Sequence, residues 1–386
     1  MDWLTKERVT VYPRMFLVFY VIIYGYWILS GTGIVDGQGK PIGSDFLGYW
    51  TASKIILSGN SADVYDHVKL FSMEENISGI RYLVPVNYPP IYFLIIAPLA
   101  LLPYLLSLAI WLCSTLLLFL YVIWRIAPHP ATIWLTLAFP GTFQNFIHGQ
   151  NGFLSAAILG GGLLCMERFP FIGGVILGFL MYKPHLAILI PIVLVAGRYW
   201  KTLAGMVTST LFLIFLSSFI FGLDTWLHFI ANITFAFKIL ETSVLPLFQM
   251  PTVFAAALQI GADPLIAKIV HGIVAISALA INVWIWFKKG PTFLRASALS
   301  IGILLFTPHA NTHDLVLLGL PLAWIGWQIY SKEQLMGRLV ILPICWILPL
   351  LSVPIAFLTK FQIAPFILFL FILSILRVME KYRTIE

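Results

Sequence analysis

Asp45 is the side chain best placed by its surroundings to do chemistry. It stands in Gly43-Ser44-Asp45-Phe46-Leu47-Gly48-Tyr49-Trp50, at the head of a polar stretch that interrupts an otherwise apolar chain. A positioned carboxylate can take a proton from a hydroxyl. Lys183, in Tyr182-Lys183-Pro184-His185, offers a point charge of the kind that holds a lipid phosphate, and Arg81 is a second candidate anchor. His148 and Gln150, in His148-Gly149-Gln150-Asn151-Gly152, can hydrogen-bond sugar hydroxyls. His313 and Asp314 follow the helix-breaking Pro308 at the edge of an apolar run, where ionisable groups tend to serve function.

Each of these residues also has a plain structural reading. Ser44 or Asp45 can cap a helix, Asp314 can cap the next one, and His148 or Gln150 the helix starting near Gly152. Lys183 can snorkel from a helix end. Asp63, Asp66, Glu74 and Glu75 read as solvated loop charges.

Familiar soluble chemistries leave no trace. There is no H-E-x-x-H, no cysteine cluster and no D-x-D in the polar stretch, so no metal cofactor is expected. P-loop, G-x-G-x-x-G and G-x-S-x-G patterns are missing as well. Cys113, Cys165 and Cys345 sit in apolar runs and behave as small hydrophobes.

The elements that must position these residues are membrane helices. The chain is 60% apolar and 10% charged, with mean hydropathy +0.95. Soluble domains carry about 25% charged residues. The apolar runs are continuous rather than alternating, which excludes a β-barrel. An all-α, polytopic integral membrane protein follows, one membrane domain over 1–386. Runs long enough to span fall at 15–33, 104–126, 130–147, 152–166, 170–183, 185–198, 202–222, 264–287, 294–309, 313–330, 338–355 and 361–379, about 12 transmembrane helices. The proline-punctuated 88–102 reads as a short or re-entrant helix. Residues 34–87 and 223–250 read as the two large outer loops. Within the first, Phe46, Tyr49, Trp50, Ser53, Ile56 and Leu57 recur at helical spacing, the pattern of an amphipathic helix lying on the membrane and ended by Gly59.

Charge orients the threading. With both termini cytoplasmic and the first span uncleaved, Lys6, Arg8, Arg14, Arg125, Arg168, Arg198, Lys201, Lys288, Lys289, Arg295, Lys332, Arg338, Arg377, Lys381 and Arg383 lie inside. The acids Asp2, Glu7, Glu167, Glu333, Glu380 and Glu386 accompany them. This is the positive-inside bias of a protein in the cell membrane, and the net charge of +7 needs no nucleic acid to explain it. Reading 170–198 as two short helices keeps Lys183 at the outer rim rather than mid-bilayer, where a lysine costs roughly 3 kcal/mol. Segments 148–152, 182–185, 222–251 and 307–314 then share the outer face with Asp45. Five of the eight histidines (His148, His185, His228, His309 and His313) fall in them, as one shared polar site would have it.

The order of motifs resembles glycosyltransferase family 87, the polyprenyl-phosphate-mannose-dependent mannosyltransferase-like proteins of the C-type glycosyltransferase superfamily. It runs Ser44-Asp45-Phe46, Tyr65, Tyr88-Pro89-Pro90 with Ala97 to Pro103, Gly149-Gln150-Asn151-Gly152, Gly173 to Gly178 leading to Lys183-Pro184, and Pro308 with His313-Asp314. The resemblance covers roughly 15–330. It implies a polyprenyl-phosphate-linked sugar donor, a glycolipid or glycan acceptor among the membrane lipids, inversion at the anomeric carbon, no metal, and Asp45 as the catalytic carboxylate. Lys183 matches the family's lysine before proline, and His313 falls in its late outer motif. That motif reads Thr307-Pro308-His309 where the resemblance implies Ser-Pro and an aromatic. A transporter or lipid flippase is the competing class, disfavoured by the missing repeats and the one-sided polar loading.

Overall fold

The computed structural model describes residues 6–241, 246–332 and 341–385. Asp2, Glu333, Arg338 and Glu386 of the charge count lie outside them, as do 242–245 of the second loop. Helix makes up 80% of the described residues, and no strand forms among them.

Five stretches are long and apolar enough to cross a membrane: Val11–Leu29, Tyr104–Ile126, Trp200–Phe221, Pro264–Phe287 and Ile341–Thr359. Between them come shorter apolar helices, among them Gly152–Met166, Pro170–Tyr182, Pro184–Ala196 and Thr292–Phe306. Several expected spans are broken. The run 130–147 is two helices, Pro130–Leu137 and Pro140–His148, because Pro140 opens the second at its first turn. The run 313–330 starts as a 3₁₀ helix, Thr312–Leu318, before Gly319–Lys332. The segment 88–102 is short, as expected: Pro90–Ile96 followed by a 3₁₀ turn, Ala97–Leu101.

Contacts between helices give their directions. Gly162 faces Leu177, and Gly173 faces Met166, so Gly152–Met166 and Pro170–Gly178 run antiparallel. Ser155 Oγ meets the Tyr182 hydroxyl at 2.6 Å near the other end of that pair. Gly174 packs on the backbone of Thr202, and Gly205 on that of Phe171. Gly174 meets Thr202 and Met206, and Gly178 meets Met206 and Ser209, so Pro170–Gly178 and Trp200–Phe221 run parallel and Pro184–Ala196 must return between them. The two-helix reading of 170–198 therefore fits this packing.

Both large polar segments are helical in part and pack on the rest of the chain. Ser44–Leu57 forms, and Gly59 with φ +97° follows its end. Ten of its residues, Phe46, Tyr49 and Ile56 included, are buried against the rest of the chain. An apolar face looks the same in sequence whether lipid or protein covers it. The second loop is largely helical, Leu223–Glu241, with Asn232 donating to Asn87 Oδ1 at 2.9 Å.

Candidate active site

Two glycines bring Asp45 and Gln150 together. Gly43 (φ +67°) turns the chain into Ser44–Leu57, and Gly149 (φ +65°) turns it out of Pro140–His148. Left-handed backbone of this kind favours glycine. The two turns also touch: a Cβ on Gly149 would lie 2.7 Å from Phe46 Cβ and 3.2 Å from Gly43 Cα. The end of Tyr104–Ile126 clamps both. Tyr104 donates to Ile42 O at 2.7 Å, and Trp111 Nε1 to Gly149 O at 3.2 Å. Asn145 fixes the second turn, donating to Gln150 O at 3.0 Å and accepting from Gly152 N at 2.7 Å.

Asp45 then meets a chain of polar groups. Gln150 Nε2 donates to Asp45 Oδ2 at 2.7 Å. Tyr49 donates to Gln150 Oε1 at 2.7 Å. The Tyr49 and Tyr88 hydroxyls are 2.9 Å apart. A phenol carries one hydrogen, and Tyr49 gives its own to Gln150, so Tyr88 is the donor to Tyr49. Neither Ser44 nor Asp45 caps the helix, whose cap position is Gly43. Ser44 Oγ instead bonds His148 Nδ1 at 2.8 Å.

Lys183 does not snorkel. Its ammonium is 3% exposed and bonds Asp314 Oδ1 at 2.5 Å and Asn151 Oδ1 at 3.1 Å. Asp314 is 3% exposed as well, and its other oxygen accepts from Asn311 N at 3.0 Å, so it serves as cap and counter-ion together. The His313 ring lies between the two acids, with Nδ1 3.9 Å from Asp45 Oδ2 and Nε2 3.8 Å from Asp314 Oδ2. His185 joins no hydrogen bond through its buried Nε2, and its ring packs edge-on to His309 with centroids 6.1 Å apart. Arg81 is exposed and stays out of the network among the described residues.

The loop carboxylates divide. Asp63 pairs with Lys69 at 2.8 Å, Asp66 caps His67–Ser78, and Glu75 is exposed. Glu74 is not solvated. It is fully buried, Oε2 accepting from Val84 N at 2.9 Å and Oε1 left without a partner. Burial pushes its carboxyl up to about 8, and the bond from Val84 opposes the rise. Val84 packs against Gly48, one turn from Asp45. Tyr82 stands beside Ser44 and Asp45, its phenol raised by burial and then by the Asp45 charge.

Sequence reading thus named Asp45, His148, Gln150, Lys183, His313 and Asp314, which this fold brings together. It missed Tyr49, Tyr82, Asn145 and Asn151 as members of the network. Tyr49 had looked like part of an apolar helix face, whereas Asn145 lies inside an apolar run where a buried amide needs partners. Among the described residues, no group of three or more His, Cys, Asp or Glu is arranged to hold a metal ion.

No curated protein and no solved structure matches the chain. The family model of glycosyltransferase family 87 matches residues 87–308, which include Tyr88, His148, Gln150, Asn151 and Lys183. More than half of the chain is covered, so this helical membrane protein belongs to glycosyltransferase family 87.

Proposed function

We propose that the protein transfers a sugar, mannose first among the candidates, from a polyprenyl-phosphate donor to a lipid or glycan acceptor on the outer face of the cell membrane. In this reading the chain crosses the bilayer about twelve times, the short broken helices completing the spans. The observation that carries it is the convergence of Asp45, Gln150, Lys183 and Asp314, from distant parts of the sequence, at one end of the helices.

The reaction is a single displacement. Asp45 accepts the acceptor's hydroxyl proton as the new O–C1 bond forms. The C1–O bond to phosphate breaks on the opposite side, inverting the anomeric carbon. Its electron pair leaves with polyprenyl phosphate, which gains one negative charge. Lys183 uses two of its three N–H donors on Asp314 and Asn151, and the third remains to steady that charge. His313, between the two acids, faces the space where phosphate and sugar meet. A positioned base is worth roughly 10²–10⁴ in rate.

The test supplies the purified protein, in lipid, with labelled decaprenyl-phosphate mannose and a membrane lipid extract as acceptor. Label should pass to a new product with release of polyprenyl phosphate, and Asp45→Asn should abolish this while leaving the fold intact. Movement of intact donor across the bilayer, without cleavage of the sugar–phosphate bond, would mean a carrier instead.

A further inference from the structure

Asp45 has two carboxylate oxygens, and the protein treats them differently. Oδ2 accepts from Gln150 Nε2 and faces His313; among the described residues Oδ1 accepts no hydrogen bond. The Asp45 side chain is 24% exposed, so that free oxygen has access to the site. Gln150 itself is held from both sides. Its Oε1 accepts from Tyr49 and, at 3.3 Å, from the N–H of Asn151, and its backbone is pinned by Asn145. Two donors on Oε1 leave the amide one workable orientation, with the NH₂ toward Asp45. Tyr88, donating to Tyr49, extends the same one-way chain.

We infer that Gln150 is the positioning residue for the base, oriented by Tyr49 and Tyr88, and that Asp45 Oδ1 is the oxygen that takes the acceptor proton. This rests on Asp45 acting as the base. Gln150 touches no reacting atom in this role. It fixes the carboxylate plane, so that one lone pair of Oδ1 meets the attacking hydroxyl, and a small misplacement at this point is costly in rate.

Gln150→Glu tests it, because the change is almost isosteric but reverses the donor. An ionised glutamate has no hydrogen to give and sets a second negative charge against Oδ2. Only its protonated form can hold Asp45, and the two acids then titrate as a pair. Transfer from labelled decaprenyl-phosphate mannose should be measured from about pH 5.5 to about pH 8.5 for wild type, Asp45→Asn, Gln150→Glu and Tyr49→Phe. Relative to wild type, Gln150→Glu should lose roughly tenfold per pH unit above the pair's upper apparent pKa. Tyr49→Phe, which frees Oε1, should lower kcat several-fold with KM unchanged.

A ratio of Gln150→Glu to wild type that stays flat with pH would overturn the positioning role. If that variant does not fold, an unchanged kcat in Tyr49→Phe overturns it equally. A wild type with no transfer, or an active Asp45→Asn, would remove the base reading beneath it. A dead Asp45→Asn beside a pH-indifferent Gln150→Glu removes the positioning alone.

Discussion

Two buried cations sit at opposite ends of the same helices, and their settings differ. Gly152–Met166 and Thr292–Phe306 each hold 15 residues, about 22 Å of helix. At one end lies Lys183 with Asp314, both 3% exposed. At the other, Arg295 meets Glu167 at 3.1 Å, with exposures of 7% and 44%. Arg295 lies over the Tyr199 and Trp286 rings at 5.1 and 5.3 Å and also bonds the Tyr199 hydroxyl. Its acid partner reaches the surface, and the aromatic faces complete its surroundings. Among the described residues, Lys183 has no aromatic stacking of that kind. Its partner is as dry as it is, and its neighbours are Asn151, Tyr88 and histidines. Withdrawing both charges from water seldom stabilises a fold beyond what apolar residues would achieve. The Arg295 end reads as a surface-anchored brace, the Lys183 end as a pair retained for use.

Replacing both members of the inner pair should break this comparison most sharply if it is wrong. In Lys183→Met with Asp314→Asn, no charge is left unpaired and asparagine can still accept from Asn311 N. Thermal unfolding should stay close to wild type. Transfer should fall by roughly 10²-fold or more, the scale of a lost transition-state contact. A double variant that transfers normally would make the pair structural, no different in kind from Arg295.

Lys183→Met alone should behave differently. It leaves Asp314 buried without its cation, which costs about 3–5 kcal/mol. The unfolding midpoint should drop well below that of the double variant. Equal midpoints would mean that Asp314 is rescued by water or by His313, and that the pair is less dry than its burial implies.

Glu74 sharpens the comparison from another side, as a buried acid with no cation paired to it among the described residues. Tyr82 and Tyr104 are near enough for the Glu74 charge to raise their phenols, but burial is what moves Glu74 itself. Its carboxyl ionises near pH 8 in the folded chain, against 4.5 when exposed. Below both values the two states are equally protonated. Between them the unfolded state loses its proton first, so stability falls as pH rises and levels off above about pH 8. The total is of the order of 5 kcal/mol at about 1.4 kcal/mol per unit. Glu74→Gln, still able to accept from Val84 N, should match wild type near pH 5 and unfold at higher temperature near pH 9. Parallel midpoints across that range would show that Glu74 is hydrated.

How much of this could be read from residues alone depended on contrast with their surroundings. Gln150, Lys183 and Asp314 stood out because a polar group between apolar runs has few reasons to be there, and Asp45 because it heads the one long polar stretch behind the first apolar run. Their pairing did not, since Asp45 and Gln150 are 105 residues apart and Lys183 and Asp314 are 131 apart. Tyr49 and Glu74 were misread for the opposite reason. A tyrosine in an apolar pattern and an acid in a polar loop each match their background, and only tertiary packing reveals that one donates and the other is dry. The apolar runs located the helices but not their breaks. Pro140 and the 3₁₀ turn Phe179–Tyr182 interrupt runs whose hydropathy is unbroken.

The smallest effect belongs to the Arg295 brace. Arg295→Lys keeps the charge beside Glu167 but loses the planar group that covers Tyr199 and Trp286. Cation–π contacts are worth about 0.5–1 kcal/mol at exposed sites and about 2 when desolvated, while an ion pair whose acid reaches the surface adds little. A shift of about 1–2 kcal/mol in unfolding is expected, with transfer unchanged, because the residue lies a helix length from Asp45. Thermal unfolding and the transfer assay on the same preparation read both halves. A loss of transfer at full stability would tie the two ends of the molecule together, and the division drawn between brace and working pair would not survive it.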